Sequence, residues 1–498
     1  MKRIFVWAPL LLGLLAGGLR AQEVSDSGAM LVSAPLGADH WALVAARRAH
    51  ALGLADDYLP AQRAVPLAVV RRVLQEATQR AWSVRPELIE LLSEWEHRFE
   101  REFPRNPNGA PAMPRVGIQH GAVGMVSGWQ SGVARAGQGV VPPVGAELLP
   151  DRAEVGVQGR LVASASPRLH LLLVPEISSA GGLHGKWDLT FGGRTVALSA
   201  GRQPVLYGAG EGGVVLGSPE PWHRLQLETV NALVLPGPLR LFGSAAFHTS
   251  LGMIGSERHP GDPFFWTASA SIRPHRRLTL AVHRAAIFGG DNVETPFTLL
   301  NFVRLAGGLH TADFENQVVS LEARFRLPTE SWLPLSAYLE WGFDDSAGAI
   351  RDVPGYVAGI FSPALPSLPR VSIGVERASF AHSCCGNPPW YRNASFQGGW
   401  AHRNLPLGHP LGGEGTELLG WMQTDLKRLP LSLEWRGWMR DRGSENLYTP
   451  IRQGGSWGTA GELRWWGWDR TNAHLSVSRE TGGGWSEMQI RAELTRFF

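Results

Sequence analysis

Apolar and polar side chains alternate along the end of the chain, from Met488 to Phe498. Met488, Ile490, Ala492, Leu494 and Phe498 fall on one side; Gln489, Arg491, Glu493 and Thr495 fall on the other. A strand has a side-chain period of two, so this segment presents one apolar face and one charged face. The same period recurs from Val116 onward. Val319, Leu321, Ala323, Phe325 and Leu327 alternate with Ser320, Glu322, Arg324 and Arg326, and Leu431, Leu433, Trp435 and Met439 with Ser432, Glu434, Arg436 and Arg440. Charged rows do not suit the dry interior of a β-sandwich. They suit a mainly β chain closed into a large antiparallel transmembrane β-barrel, with lipid outside and a polar lumen inside.

The connections alternate too. Short ones at Ser166-Pro167, Pro236-Gly237-Pro238, Arg273 to Arg276, Thr329 to Trp332, Lys427-Arg428 and Asp469 to Asn472 read as periplasmic turns. Long ones near 208–222, 289–314, 382–413 and 442–456 read as extracellular loops. Pairing them predicts about 18 strands, an even number with both ends in the periplasm. A chain that stops on such a strand with a terminal Phe resembles bacterial outer-membrane barrels, which commonly carry an assembly signal there.

Residues 38–103 follow a different period. Asp39 is placed to cap a helix running to about Leu52 and ended by Gly53. Pro66 suits the first turn of a second helix, with Leu67, Val70, Leu74 and Ala77 at helical spacing. Pro86 opens a third, with Leu88, Leu91, Leu92, Trp95 and Phe99 on one stripe and Arg98 among the polar positions opposite. A small N-terminal three-helix periplasmic unit therefore precedes a linker at 104–115 and a barrel at 116–498. The first 21 residues read as a signal peptide: Lys2 and Arg3, a short apolar run from Ile4 to Leu15, then Leu19-Arg20-Ala21 as cleavage site. That apolar run is too short to span a bilayer as a helix.

Composition changes little in this picture. Net charge is +3, with Gly 60, Trp 20 and Phe 19. Nothing in it marks a nucleic-acid partner. Cys384 and Cys385 are adjacent, which leaves a strained vicinal disulfide, two thiols or an intermolecular link open.

Four groups of residues carry candidate chemistry. Gly208 to Gly213 matches GxGxxG, but no helix pattern follows it, so it reads as a surface loop or a loop folded into the lumen. Asp344-Asp345 supplies half of a glycosidase carboxylate pair without an assignable partner, which makes catalysis an unfavoured reading. His382, Cys384 and Cys385 fall short of the ligands a structural zinc needs. Trp390, Tyr391 and Arg392, with His402, His409 and Trp222, are the carbohydrate-binding candidates. Aromatic faces stack on pyranose rings and Arg pairs with carboxylates. Membrane-interface girdles use Trp and Tyr as well, and that is the competing explanation.

Several of these segments resemble the Wzi-type capsule assembly proteins. The resemblance runs from the helical unit ("PLGADHWALVAARRAHALGL") through "LYGAG" at Leu206 to Gly210, "VHRAAIFGG" at Val282 to Gly290 and "YLEWGFDD" at Tyr338 to Asp345. Its most specific part is "WYRNASFQGGW" followed by "LPLGHPLGG", from Trp390 to Gly413. Tyr207 stands where that family usually has Trp, and Asn393 near a common His. The resemblance implies an outer-membrane lectin that binds and helps attach or assemble capsular polysaccharide or exopolysaccharide, with no enzymatic activity and no cofactor; no metal is expected from the residues. Surface polysaccharide and outer-membrane lipid are the expected partners. The helical unit also resembles a surface-layer-homology-like segment, which adds periplasmic glycan or export-machinery proteins; its plainer role is a plug beneath the barrel. The alternative function is a porin or oligosaccharide uptake channel.

Overall fold

The computed structural model describes residues 20–21, 33–38, 40–104, 115–131, 153–179, 183–193, 195–255, 258–291, 293, 297–307, 315–344, 354–381, 389–393, 395–403, 405–449 and 452–498. The readings at Asp39, Asp345, His382, Cys384, Cys385, most of the signal peptide and most of the linker lie outside these residues.

The barrel strands are β1 (Arg115–Ser131), β2 (Glu154–Ser166), β3 (Leu169–Ser178), β4 (Leu183–Gly192), β5 (Val196–Leu206), β6 (Gly217–Thr229), β7 (Ser244–Met253), β8 (Phe264–His275) and β9 (Leu278–Phe288). They continue as β10 (Glu315–Arg326), β11 (Ser336–Asp344), β12 (Pro354–Ser362), β13 (Val371–Phe380), β14 (Gly415–Asp425), β15 (Leu431–Arg442), β16 (Gly454–Trp468), β17 (Thr471–Gly482) and β18 (Trp485–Phe497). Each pairs antiparallel with its neighbours in sequence, and β18 returns to pair with β1, with Ala122 opposite Thr495. Closure removes both free edges, the condition for a sheet to cross a bilayer. Phe498 donates its backbone N–H to Gln119 at 3.0 Å, so the terminal residue is held at the closing seam.

The alternation sorts the two faces as the sequence predicts. Leu198, Leu225, Leu321, Val375, Leu418, Trp435 and Met439 are exposed on the outer face. Ser199, Gln226, His248, Glu322, Glu376, Arg440 and Glu480 are buried in the lumen. Glu322, Arg440 and Glu480 are ion-paired, while Glu376 is held by neutral donors. Arg440 contacts the Glu417 and Glu480 carboxylates, and Arg442 reaches Glu480 at 2.9 Å.

Helices α1 (Trp41–Ala51), α2 (Leu67–Val84) and α3 (Ile89–Glu102) form a unit packed into the lower end of the barrel. Their core contains Leu43, Val70, Leu74, Leu91, Leu92, Trp95 and Phe99, the stripes visible in the sequence. His40, rather than a residue before it, is the N-cap of α1: its Nδ1 accepts the Ala42 N–H at 3.2 Å. The one polar position misplaced by periodicity is Arg98. It is buried, with its guanidinium 4.0 Å from the Trp41 ring centre and 3.9 Å from that of Trp466 on β16. Burial of a charge requires a counter-ion, and Glu102 supplies it at 3.1 Å. Further ties fix the unit to the periplasmic turns. Arg370 pairs with both oxygens of Glu94 at 2.7 Å, and Arg48 and Trp95 both donate to Asp425.

Candidate functional site

Among the described residues, three connections fold inward and fill the upper lumen: 207–216 between β5 and β6, 389–393, 395–403 and 405–414 before β14, and 443–449 and 452–453 between β15 and β16. Together with strand residues they form one apolar core around Tyr207, Val215, Trp222, Phe265, Trp390, Tyr391, Trp400 and Leu411. The long polar loops of the sequence thus contain a hydrophobic interior of their own.

Trp390 and Tyr391 are fully buried in this core. The Trp390 ring packs edge-on against Phe380 at 5.0 Å. Tyr391 sits at φ +65°, a left-handed conformation uncommon outside glycine. Four hydrogen bonds hold it there. Its N–H donates to the Asp344 carboxylate, and its hydroxyl donates to the Val215 carbonyl at 2.6 Å. That hydroxyl accepts the His409 N–H at 3.0 Å, and its carbonyl accepts the Trp400 N–H at 2.7 Å. Asp344 is thereby a structural acceptor in the plug.

Trp222 is also buried, on the lumen side of β6, packed against Phe265 at 5.0 Å. His409 is fully buried, with Nδ1 accepting the Leu411 N–H at 3.1 Å. These four side chains offer no open face for a sugar ring in this arrangement, which departs from the stacking role expected of them. The signal for the difference is spacing: Trp390, Tyr391, Trp400 and Leu407 lie in one glycine-rich loop long enough to fold back on itself. Arg392 is half-buried, and His402 is buried. Arg392 donates to the carbonyls of Glu445 at 3.0 Å and Asn446 at 2.8 Å, joining two loops. His402 stands beside Arg403, whose exposed guanidinium pairs with Glu220 at 3.1 Å.

The glycine string folds into the lumen. Gly208 has φ +101°, open to glycine without strain. The N–H groups of Glu211 and Gly212 point together at the Glu376 carboxylate, at 2.6 and 2.9 Å. No helix follows, so the loop is not a dinucleotide cradle. From below, Arg63 donates its backbone N–H to Leu206 at 2.9 Å and its guanidinium to the carbonyls of Gly208 and Gly210. Arg47 pairs with Glu211 at 3.1 Å. The helical unit and the extracellular loop therefore touch inside the barrel. Sequence periodicity gave no sign of this contact, because it joins residues far apart in the chain through backbone acceptors.

Burial pushes the His409 imidazole down to about 4, against a smaller upward pull from Glu417. Burial, then Arg403 and Arg258, push His402 down to about 4 as well. A depressed histidine stabilises the folded loop fully above its unfolded pKa of about 6.5, and that contribution is lost as pH falls from there towards the folded value. Each histidine contributes up to ~1.4 kcal/mol per pH unit in that window. Protease cleavage within 389–413 should accelerate between pH 6.5 and about 4, and His409→Gln should flatten the dependence.

The family model for capsule assembly protein Wzi matches residues 189–472, more than half of the chain. Among solved structures, the outer-membrane protein Wzi of Escherichia coli, described as a carbohydrate-binding β-barrel involved in group 1 capsule assembly, is similar with TM-score 0.70 and 13% identity. That overlap covers 94% of this chain and all of the other. Pseudomonas aeruginosa OpdQ overlaps with TM-score 0.47 and 9% identity, over 76% of this chain and 97% of its own. The comparison with curated proteins gave no match.

Proposed function

Because the chain belongs to the capsule assembly protein Wzi family and is an outer-membrane barrel, we propose that it binds surface polysaccharide on its extracellular face without chemically altering it. The observation that carries this reading is the contact of Arg63 and Arg47 with the 208–211 loop. The meeting of loops and helical unit in the lumen supports reading the extracellular side as a surface to bind on rather than an entrance. The same contact speaks against the channel reading.

The loop 389–414 is the proposed binding element. Its buried residues Trp390, Tyr391 and His409, with Trp222 beneath, hold its shape. Arg392 and Arg403 stand at its rim, with His402 buried beside Arg403, and there guanidinium groups can meet the carboxylates of acidic sugars. Conformational cost is low because the loop is already folded.

An array of purified capsular and exopolysaccharides tests this. The protein should be retained by at least one of them, and Arg403→Ala should weaken retention severalfold, since Arg403 is exposed and its loss leaves the core intact. Arg392→Ala should weaken it through the loop junction. No retention on any acidic or neutral glycan, with turnover of one of them, would replace the lectin by an enzyme.

A further inference from the structure

The outside of the barrel repeats one motif on every fourth strand. Arg202 on β5, Arg284 on β9, Arg377 on β13 and Arg479 on β17 each lie three or four residues before the extracellular end of their strand. All four belong to the lipid-facing row. Their chain neighbours are buried on the lumen side: Gly201 and Gln203, His283 and Ala285, Glu376 and Ala378, Ser478 and Glu480. Moving towards the periplasm along the same row, each Arg is followed by two apolar residues. These are Ala200 and Leu198, Val282 and Leu280, Val375 and Ile373, and Val477 and Leu475.

Arg377 and Arg479 are exposed and have no ion-pair partner among the described residues. The other two are partly held in place. Arg202 donates to the Gly185 carbonyl at 2.6 Å and shares Glu220 with Arg403, which leaves that trio one positive charge in excess. Arg284 donates to Gln317 at 2.6 Å beside the Trp266 ring.

A short helix, α4 (Leu299–Ala306), lies against this outer face. It packs Phe302, Leu305 and Ala306 on Trp266, Ala286 and Phe288. Leu299, Leu300, Val303 and Arg304 remain exposed. An apolar helix face with a basic residue, lying flat on a barrel, marks the boundary between acyl chains and head groups.

We propose that this arginine ring holds the phosphate groups of the glycolipid in the outer leaflet, while its acyl chains cover the apolar pairs beneath. The pattern is amphiphilic along each strand, apolar and then cationic, in the order an anionic lipid presents its own parts. A guanidinium matches a phosphate with paired hydrogen bonds, strengthened next to a low-dielectric layer. Commitment to lipid rather than to a soluble acidic glycan rests on direction: these side chains point sideways off the barrel, immediately above rows that acyl chains must cover.

Native mass spectrometry of the detergent-purified full chain, incubated with diphosphoryl lipid A or with its dephosphorylated form, reads this directly. The unmodified protein should retain several diphosphoryl molecules and few dephosphorylated ones. Arg377→Gln with Arg479→Gln should lower retention of the diphosphoryl form severalfold and leave the other form unchanged. The Arg→Lys pair at the same positions should restore most of it, and heat-modifiable gel mobility should show all three barrels folded. Equal retention of the two lipids, or no change in the Gln pair, would overturn the proposal. So would displacement of the lipid by a soluble acidic polysaccharide, which would assign the ring to the glycan instead.

Discussion

In a planar bilayer the unmodified protein should carry almost no current, and removing either layer of its filling alone should change that little. An empty barrel of this strand number encloses an aqueous channel. Here the upper part is occupied by 207–216, 389–414 and 443–453, and the lower by α1 to α3. Shortening 208–213 and 389–413 to brief glycine–serine linkers leaves Arg48, Trp95 and the Asp425 carboxylate bridging the lumen from below. Deleting 33–104 leaves the aromatic core above. Only the combined deletion should give stepwise single-channel openings, with at least a tenfold rise in mean current. Clear steps from the unmodified protein would sink the sealed-barrel reading and with it the argument for a binding surface.

Glu102→Ala should detach the helical unit. Glu102 accepts from Trp41 at 2.8 Å and from Asn472, at the start of β17, at 2.7 Å, and it neutralises Arg98. Its removal strands a buried guanidinium between two tryptophans, and breaking a buried pair in this way costs about 3–5 kcal/mol. Burial alone would raise the Glu102 carboxyl, but Arg98, His40 and the bonds from Trp41 and Asn472 outweigh it and hold the carboxyl below its usual range. A depressed carboxylate stabilises fully above its unfolded pKa of about 4.3, and that contribution disappears as pH falls through the lower folded value. Limited proteolysis at 104–115 measures the outcome. Cleavage should rise sharply in Glu102→Ala at neutral pH, and in the unmodified protein only in strong acid. Pairing Glu102→Gln with Arg98→Met should recover much of the loss, since an apolar isostere needs no counter-ion.

The barrel was legible in the sequence because each strand carries its own evidence: Val319 to Leu327 names both faces without reference to any other segment. The helical stripes were legible for the same reason. Arg98 was not, because helical period assigns a side and cannot see a tryptophan on β16 arriving from a distant part of the chain. The loop residues were harder still. Trp390 and Tyr391 are the same amino acids whether they stack on a sugar or fill a core, and burial is decided by the fold of the whole loop. The sequence singled out Trp390 and Tyr391 as sugar-stacking candidates, and both rings are buried within the folded loop. Arg392 is only half-buried, whereas His402 is buried beside the exposed Arg403.

The contact of Arg63 with Gly208 and Gly210 spans two compartments. Through it the docking equilibrium of the periplasmic unit and the folding equilibrium of the surface loops become one thermodynamic cycle. Reciprocity then applies: if a bound glycan favours the docked unit by some factor, docking of the unit strengthens glycan binding by that same factor, and a periplasmic ligand that undocks the unit weakens the glycan correspondingly. A filled barrel can pass free energy between its two ends.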